Sequence, residues 1–452
     1  MQQAISYKDA DGFVIVGERS VHRFVAHKYK QEYDHLMRSG LYHELTDRSL
    51  LIPHAESLLT AEEKKHYYKL LIPELIPVIS YPYEWTASQW QQVVSCFLEI
   101  NILALKYGMI LKDATPFNFS FYEGECIFFD TLSFEFYHEG DPWTAYRQFC
   151  ELMLGPLLLL RFNHPDWTRQ LTAAINGWNL KFISRNLPLR SYISLAALLH
   201  IHWHSRYAGK SSGSSTATSF TKQKLELLWS SLHWSVRRLK IRIKHPGWSD
   251  YYDTTILSDT YLQHKKELVK KIISALEINC VVDLGANTGT FSFLAADLVP
   301  AVVALEADHL CLEELRRNMV ARQVTNITTL LSNIAEPAPG IGWNNAERFP
   351  LLQRLHGDMV FALALIHHLC IGQNIPLGFV AELLFQMTGK YVLIEFIPKA
   401  DPRVRAMLAD RKDIFDAYSE DGFVHCFTRY FILEGTYTIA DSERKLFLWK
   451  KR

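Results

Sequence analysis

Residues 281 to 292, VVDLGANTGTFS, constrain the fold more than any other stretch of this chain. Val281-Val282-Asp283-Leu284 is a short apolar run of the kind that forms a buried parallel strand. It breaks into the turn Gly285-Ala286-Asn287-Thr288-Gly289, then resumes as a helix-compatible stretch through Phe291, Phe293 and Leu294. Glycine lets the backbone take positive φ and pass close to a ligand. The helix beyond offers free N–H groups at its start. Strand, glycine turn and helix in this order predict a small-molecule cradle at the edge of a doubly wound α/β sheet.

The next strand narrows the ligand. Ala301-Val302-Val303-Ala304-Leu305 is apolar and ends in Glu306. An acidic residue about 20 positions after a glycine turn, at the tip of the second strand, suits a pair of ribose hydroxyls. The turn is not GxGxxG, and Asp283 stands just before its first glycine. A pyrophosphate would be repelled by that carboxylate, whereas a cationic amino-acid tail would be attracted. The same pattern also suits an NAD site or a βα turn that binds nothing. At these residues the chain resembles the class I S-adenosylmethionine-dependent methyltransferases, whose first motif has the form DxGxxxG. That resemblance implies S-adenosyl-L-methionine as cofactor, its methionine end against Asp283, Gly285, Ala286, Asn287, Thr288 and Gly289. It further implies Glu306 on the ribose, with Ser332, Asn333 and Ala364 also beside the cofactor.

The remaining strands are expected at Thr328 to Leu331, Asp358 to Leu365, Tyr391 to Phe396, Val424 to Phe431 and Lys445 to Trp449. The last two would form the antiparallel edge usual in that family. The expected fourth strand runs into Ala364-Leu365-Ile366-His367-His368. An imidazole titrates near neutral pH and can accept a proton as a methyl group is transferred, so His367 and His368 are the candidate catalytic pair. Neighbouring residues point to different faces, so one of the two is expected at the site. No third ligand is spaced to make the pair a metal centre. The segment from Glu336 to Arg348 is polar and reads as a surface loop.

The N-terminal region carries its own signal. In LKDATPFNFSFYEGECIFFDTLSFE, residues 111 to 135, Asp113 precedes Asn118 by five positions and Asp130 follows at the end of an apolar run. This resembles the catalytic loop and metal-binding aspartate of protein-kinase-like phosphotransferases. Lys112 and Thr131-Leu132-Ser133 depart from that pattern, and no nucleotide lysine is identifiable. A hairpin from Gly12 to Gly17 and Arg23 to Val25 would form a reduced N-lobe. The alternative to methyl transfer is therefore a kinase-like phosphotransferase using Asp113, Asn118 and Asp130. A non-catalytic S-adenosylmethionine-binding protein is a further alternative.

Three regions are expected: an α+β, kinase-like accessory domain over 1–207, a Ser/Gly/Thr-rich linker over 208–222, and the methyltransferase domain with its leading helices over 223–452. Residues 222 to 244 read as a basic amphipathic helix, with Leu225, Leu228, Trp229, Leu232 and Val236 at helical spacing. A further helix is expected near 262 to 277. The motifs ISYPYEW, LKDATPFNF, ALIHHL and EFIP together resemble bacterial methyltransferases related to the nodulation proteins. That resemblance implies a hydroxylated acceptor, a glycan or another small molecule.

Composition excludes some classes. The 452 residues carry 48 Lys plus Arg and 48 Asp plus Glu, so no global charge favours nucleic acid. The seven cysteines are scattered with no CxxC pair. No signal peptide or membrane-length apolar run is visible, and the cytoplasm is the expected location.

Overall fold

A computed structural model describes residues 3–4, 9–17, 20–207, 220–241, 258–409 and 411–452. Residues 208–219 of the linker expected over 208–222, and Arg242 and Lys244 of the basic segment, lie outside the described residues. The chain divides into two compact units. One comprises residues 1–243 with 340–348; the other comprises 244–339 with 349–452.

The first unit begins with β1 (Gln3–Ala4), β2 (Gly12–Val16) and β3 (Val21–Ala26), followed by α1 (Lys30–Arg38) and α2 (Leu41–Asp47). β4 (His54–Ser57) and β5 (Tyr67–Pro73) complete an antiparallel sheet of order β1-β2-β3-β5-β4. The expected hairpin is β2 and β3, pairing Gly12 with Val25 and Val16 with Val21. α3 (Ala87–Lys106) starts at a capping box in which Thr86 and Gln89 bond each other's backbone. It buries Trp90, Val94, Phe97 and Leu98.

β6 (Met109–Leu111), the hairpin β7 (Phe119–Tyr122) and β8 (Glu125–Phe128), and β9 (Phe134–Phe136) then carry the loop residues Asp113, Asn118 and Asp130. Short helices follow: α4 (Tyr146–Phe149), α5 (Gly155–Phe162), α6 (Leu180–Asn186), α7 (Leu195–Ala197) and α8 (His204–Tyr207).

The basic helix forms as α9 (Lys222–Arg237). The expected boundary at 223 puts it with the methyltransferase domain, whereas its packing puts it in the first unit. Leu225, Trp229, Leu232 and Val236 make one buried stripe, and Gln91 of α3 donates to the carbonyls of Val236 (2.7 Å) and Leu239 (3.0 Å). An apolar face of that width needs a partner, and α3 supplies it.

The second unit opens with α10 (Asp259–Ser274), then β10 (Cys280–Leu284), α11 (Thr290–Ala296), β11 (Ala301–Glu306), α12 (His309–Arg322) and β12 (Ile327–Leu331). It continues through α13 (Leu351–Arg354), β13 (Gly357–Ala362), α14 (Leu377–Met387), β14 (Thr388–Phe396), α15 (Pro402–Leu408), α16 (Glu420–Phe427), β15 (Phe431–Thr438) and β16 (Lys445–Lys451). The seven strands lie in the order β12-β11-β10-β13-β14-β16-β15. The first five are parallel, and β16 and β15 close the edge antiparallel. Helices on both faces explain why β10, β13 and β14 read as near-continuous apolar runs.

Three expectations change here. The sixth strand is not Val424 to Phe431: residues up to Phe427 are helical and the strand starts at Phe431. Ser419 caps that helix by accepting from Gly422, and Phe423 and Phe427, four apart, are both buried. The fourth strand stops at Ala362, before a turn in which Ala364 has φ +56°. Glu336 to Arg348 is not wholly a surface loop. Residues 340–348 pack within the first unit, where Ile341 pairs with Arg348, Glu347 is buried, and the Arg348 guanidinium lies 5.0 Å from the Phe117 ring centre.

Candidate functional site

Parallel register sets the cradle. Leu284 of β10 lies opposite Leu305 of β11, and Glu306 lies opposite Leu331 of β12. Beyond those pairs, Gly285, Glu306 and Ser332 share the carboxyl ends of three adjacent strands, where open α/β sheets bind ligands. The turn is held by N–H bonds from Gly285 and Ala286 to the Leu305 carbonyl (2.9 and 3.0 Å). Gly285 and Gly289 sit at φ +72° and +89°, a conformation strained for any side chain. At Gly285 the nearest atom to an added Cβ is Leu365 Cδ1, 3.4 Å away, so the turn faces the segment after β13. Asn287 is also left-handed, at φ +51°, and its own side chain accepts from the Thr288 N–H (2.7 Å).

The two carboxylates differ in setting. Asp283 is buried and accepts a hydrogen bond from the Ser292 hydroxyl (2.6 Å). Burial raises its carboxyl to about 6, although Ser292 and Lys265 pull the other way. Glu306 accepts backbone N–H bonds from Asn287 (2.7 Å), Ala307 (2.7 Å) and Asp308 (2.8 Å). Burial raises its carboxyl too, against those three donors. Ser332 is buried and donates its N–H to the Glu306 carbonyl (2.9 Å). The Asn333 side chain closes a local turn onto the Ala335 N–H (3.0 Å).

His367 and His368 are not at a strand end. They lie in the first turn of a short helix that opens into a single π turn, His368–Gly372, with their rings 4.0 Å apart. His367 is fully buried and neither ring nitrogen has a hydrogen-bond partner. Burial, then His368 and Arg444, push its basicity well down. His368 is half-buried, and burial with Arg403 and Arg444 lowers it to about 4. In both rings the surroundings favour the neutral form.

Sequence reasoning missed the ionic cluster behind this helix. Glu395, at the end of β14, is fully buried. It accepts from Tyr261 and from Lys265 (2.6 Å) of α10, with Arg444 3.6 Å away. Burial would raise the Glu395 carboxyl, but Lys265 and Arg444 hold it below its ordinary value. Arg444 also pairs with Asp401 (2.7 Å), and Lys265 lies 4.6 Å from the Phe291 ring centre at the cradle helix. Lys265 and Glu395 are 130 positions apart, so no local pattern announces the pair.

In the first unit, the expected trio does come together. Asn118 Nδ2 donates to Asp113 (3.4 Å) and to Asp130 (3.2 Å). Arg23 of β3 pairs with Asp130 and donates to the Phe129 carbonyl (3.0 Å). Ser133 donates to the other oxygen of Asp113, and the Leu132 N–H reaches Asp130 (3.3 Å). Burial, reinforced by Asp130, raises the Asp113 carboxyl to about 6. Lys112 is tied to Asp11 (2.5 Å). Among the described residues, no group of three or more His, Cys, Asp and Glu side chains is arranged to hold a metal ion.

No family model matches the chain. Over 395 residues it is 29% identical to "Nodulation protein NoeA" of Rhizobium meliloti (strain 1021), covering 85% of this chain and 82% of that protein. Solved structures align with it at low scores. N-methyltransferase NodS from Bradyrhizobium japonicum WM9 is 9% identical with a TM-score of 0.32, over 43% of this chain and 98% of that one. Magnesium protoporphyrin IX methyltransferase from Synechocystis PCC 6803, solved with bound SAH, is 13% identical with a TM-score of 0.32, over 45% and 93%. The bifunctional kinase-methyltransferase WbdD is 15% identical with a TM-score of 0.30, over 45% and 41%. Scores of this size leave the functional argument to the site itself. By its glycine turn, its acidic strand ends and its sheet order the chain resembles the class I S-adenosylmethionine-dependent methyltransferases, and along most of its length it resembles a bacterial nodulation protein.

Proposed function

We propose that the second unit binds S-adenosylmethionine and transfers its methyl group to a hydroxylated acceptor, a glycan or another small molecule. The observation that carries this is the convergence of Asp283, the Gly285–Gly289 turn and Glu306 at the ends of adjacent parallel strands. The residues fit the cofactor. Ionised Asp283 attracts a cationic amino-acid tail, Glu306 is oriented by three N–H donors toward ribose hydroxyls, and the positive-φ glycines keep the turn bare. When bound, S-adenosylmethionine supplies an electrophilic methyl on a sulfonium. The protein's task is then mainly to align the acceptor. Of the two histidines, the half-buried His368 is assigned to the acceptor, as hydrogen-bond partner and proton acceptor, while His367 packs behind it. Arg403 and Arg444 lower its basicity, and the same cations favour negative charge on an acceptor oxygen.

The kinase-like reading of the first unit is supported by an antiparallel sheet with a helix pair, a long helix, and a hairpin between Asp113 and Asp130. Against a divalent cation there stands the engagement of that unit's carboxylates. All four oxygens of Asp113 and Asp130 already accept from internal donors, Arg23 among them. We therefore assign no phosphoryl transfer to it.

Calorimetric titration with S-adenosylmethionine, S-adenosylhomocysteine and Mg-ATP tests both statements. Both sulfur ligands are expected to bind, and Asp283→Ala and Glu306→Ala are each expected to weaken them by roughly thirtyfold, the loss of one charge-assisted contact. Binding of Mg-ATP alone would overturn the reading. Cofactor binding without turnover across a broad set of hydroxylated acceptors would instead favour a non-catalytic binding protein.

A further inference from the structure

Asp and Glu make up 48 of the 452 residues, yet none occurs between Trp167 and Leu225, while the same stretch holds eight Lys and Arg. Within it, α6, the 3-10 segment Leu189–Ile193, α7 and the π segment Leu198–Trp203 form one packed piece. The buried His202 ties them: its ring accepts or donates to Ser184 and Ser191 (2.8 Å each) and stacks on Tyr192 at 3.9 Å. This piece exposes large apolar side chains. Leu189 is 86% and Ile193 89% accessible, and Phe182, Tyr192, Leu195 and Trp203 are exposed as well. Lys181, Arg185 and Arg190 on these elements, and Arg206 on α8 packed against them, are all exposed. Glu151 reaches the start of the piece, accepting from the Leu180 N–H (3.3 Å), and acts on His204 beside its end.

We propose that this face of the first unit docks on the surface of an anionic lipid bilayer. A cluster of exposed leucine, isoleucine and aromatic residues is uncommon on a free protein surface and marks a contact. The cations on these elements outnumber the carboxylates at its margin, Glu151 and Asp166, and so select a negative partner. Leu189 and Ile193 enter the boundary between headgroups and acyl chains, Tyr192 and Trp203 sit at headgroup level, and the four cations meet anionic headgroups. A second copy of this chain fits less well, since a two-fold contact would set the four cations against their own images. The mode is surface binding: among the described residues, no helix is long and apolar enough to cross a membrane.

The test is co-sedimentation of the full chain with vesicles of phosphatidylcholine alone and of phosphatidylcholine carrying roughly one-third phosphatidylserine, at low and high salt. Binding is expected to the anionic vesicles only and to fall with salt. Lys181→Glu with Arg185→Glu is expected to weaken it roughly thirtyfold or more, at about a factor of five per charge lost. Leu189→Ser with Ile193→Ser is expected to weaken it by roughly tenfold or more. All four positions are exposed, so circular dichroism and cofactor binding should be unchanged. Absence of binding to either vesicle would overturn the proposal, as would equal binding by the charge-reversed variant. A dimer in solution that the Leu189→Ser, Ile193→Ser variant splits would overturn it too, by giving the face to a second copy. None of these outcomes depends on whether the second unit transfers methyl groups.

Discussion

Both units gather carboxylates at a loop cluster, and they treat one carboxylate of each cluster in opposite ways. In the first unit, Asp130 is met by the Arg23 guanidinium and Asp113 by Ser133, with Asn118 bridging the two. In the second unit, Glu306 is met by three backbone N–H groups and Asp283 by one hydroxyl. A guanidinium cancels a carboxylate's charge; a peptide N–H or a hydroxyl fixes its direction and leaves the charge in place. At Asp130 the charge is answered inside the fold by Arg23, whereas Glu306 keeps its negative charge among neutral donors, and Asp113 and Asp283, each met by a hydroxyl, are alike. On the proposed function, the same residue type marks a structural lock at Asp130 and a binding site at Glu306.

The comparison can be tested through four substitutions or titrations. Glu395→Ala carries the largest expected effect. It leaves the buried Lys265 without a carboxylate, while Arg444 keeps Asp401, and should cost about 4 kcal/mol in denaturant unfolding. A loss below about 1 kcal/mol would show that the cluster tolerates an unpaired charge. Arg23→Gln comes next, at about 3 kcal/mol, because Asp130 is somewhat more exposed than Glu395. The lock reading also requires that Mn²⁺ raise the melting temperature of this variant and leave the wild type unchanged. A saturable Mn²⁺ effect on the wild type would erase the contrast between the units.

The third is a pH profile. The Asp283 carboxyl is raised to about 6, so the free protein holds a proton there below that pH. A cationic ligand needs the ionised form. Affinity for S-adenosylmethionine should therefore be full above pH 7 and fall as the pH drops through 6, approaching tenfold per unit. For the protein alone the sign is opposite: a raised acid destabilises the fold as pH rises above its unfolded value, so protonation there favours folding. Asp283→Asn should flatten the binding profile; an unchanged slope would move the titration to another group. Smallest is Asn118→Ala, at about 1 kcal/mol, since it removes one donor shared by two carboxylates and leaves the Arg23 pair standing.

Much of the cradle was legible because its signal is local. Asp283, Gly285, Gly289 and Glu306 fall where a strand ends and a turn begins, and the register of β10, β11 and β12 brings them together as their spacing implies. The same held for Asp113, Asn118 and Asp130, whose convergence follows from one short hairpin. What stayed hidden is non-local. Arg23 lies 107 positions from Asp130, and only the closed fold shows that an arginine answers that aspartate. Val424 to Phe431 misled because aromatic and β-branched residues favour strands on average, whereas Ser419 and the Phe423–Phe427 pair supply the local decision for a helix. The His367–His368 pair was placed by chain order correctly, but in the wrong element, since the apolar run continues past the point where β13 stops at Ala362.

The π turn at His368–Gly372 has a consequence of another kind. Such a turn holds one residue more than the α turn it replaces. Deleting a single codon within it would restore ordinary α spacing and swing the side chains before the deletion by about 100° against those after it. The sheet pairing of β13 and β14 would not have to change. This short helix is therefore a place where gain or loss of one residue re-aims the histidines while the scaffold stays the same.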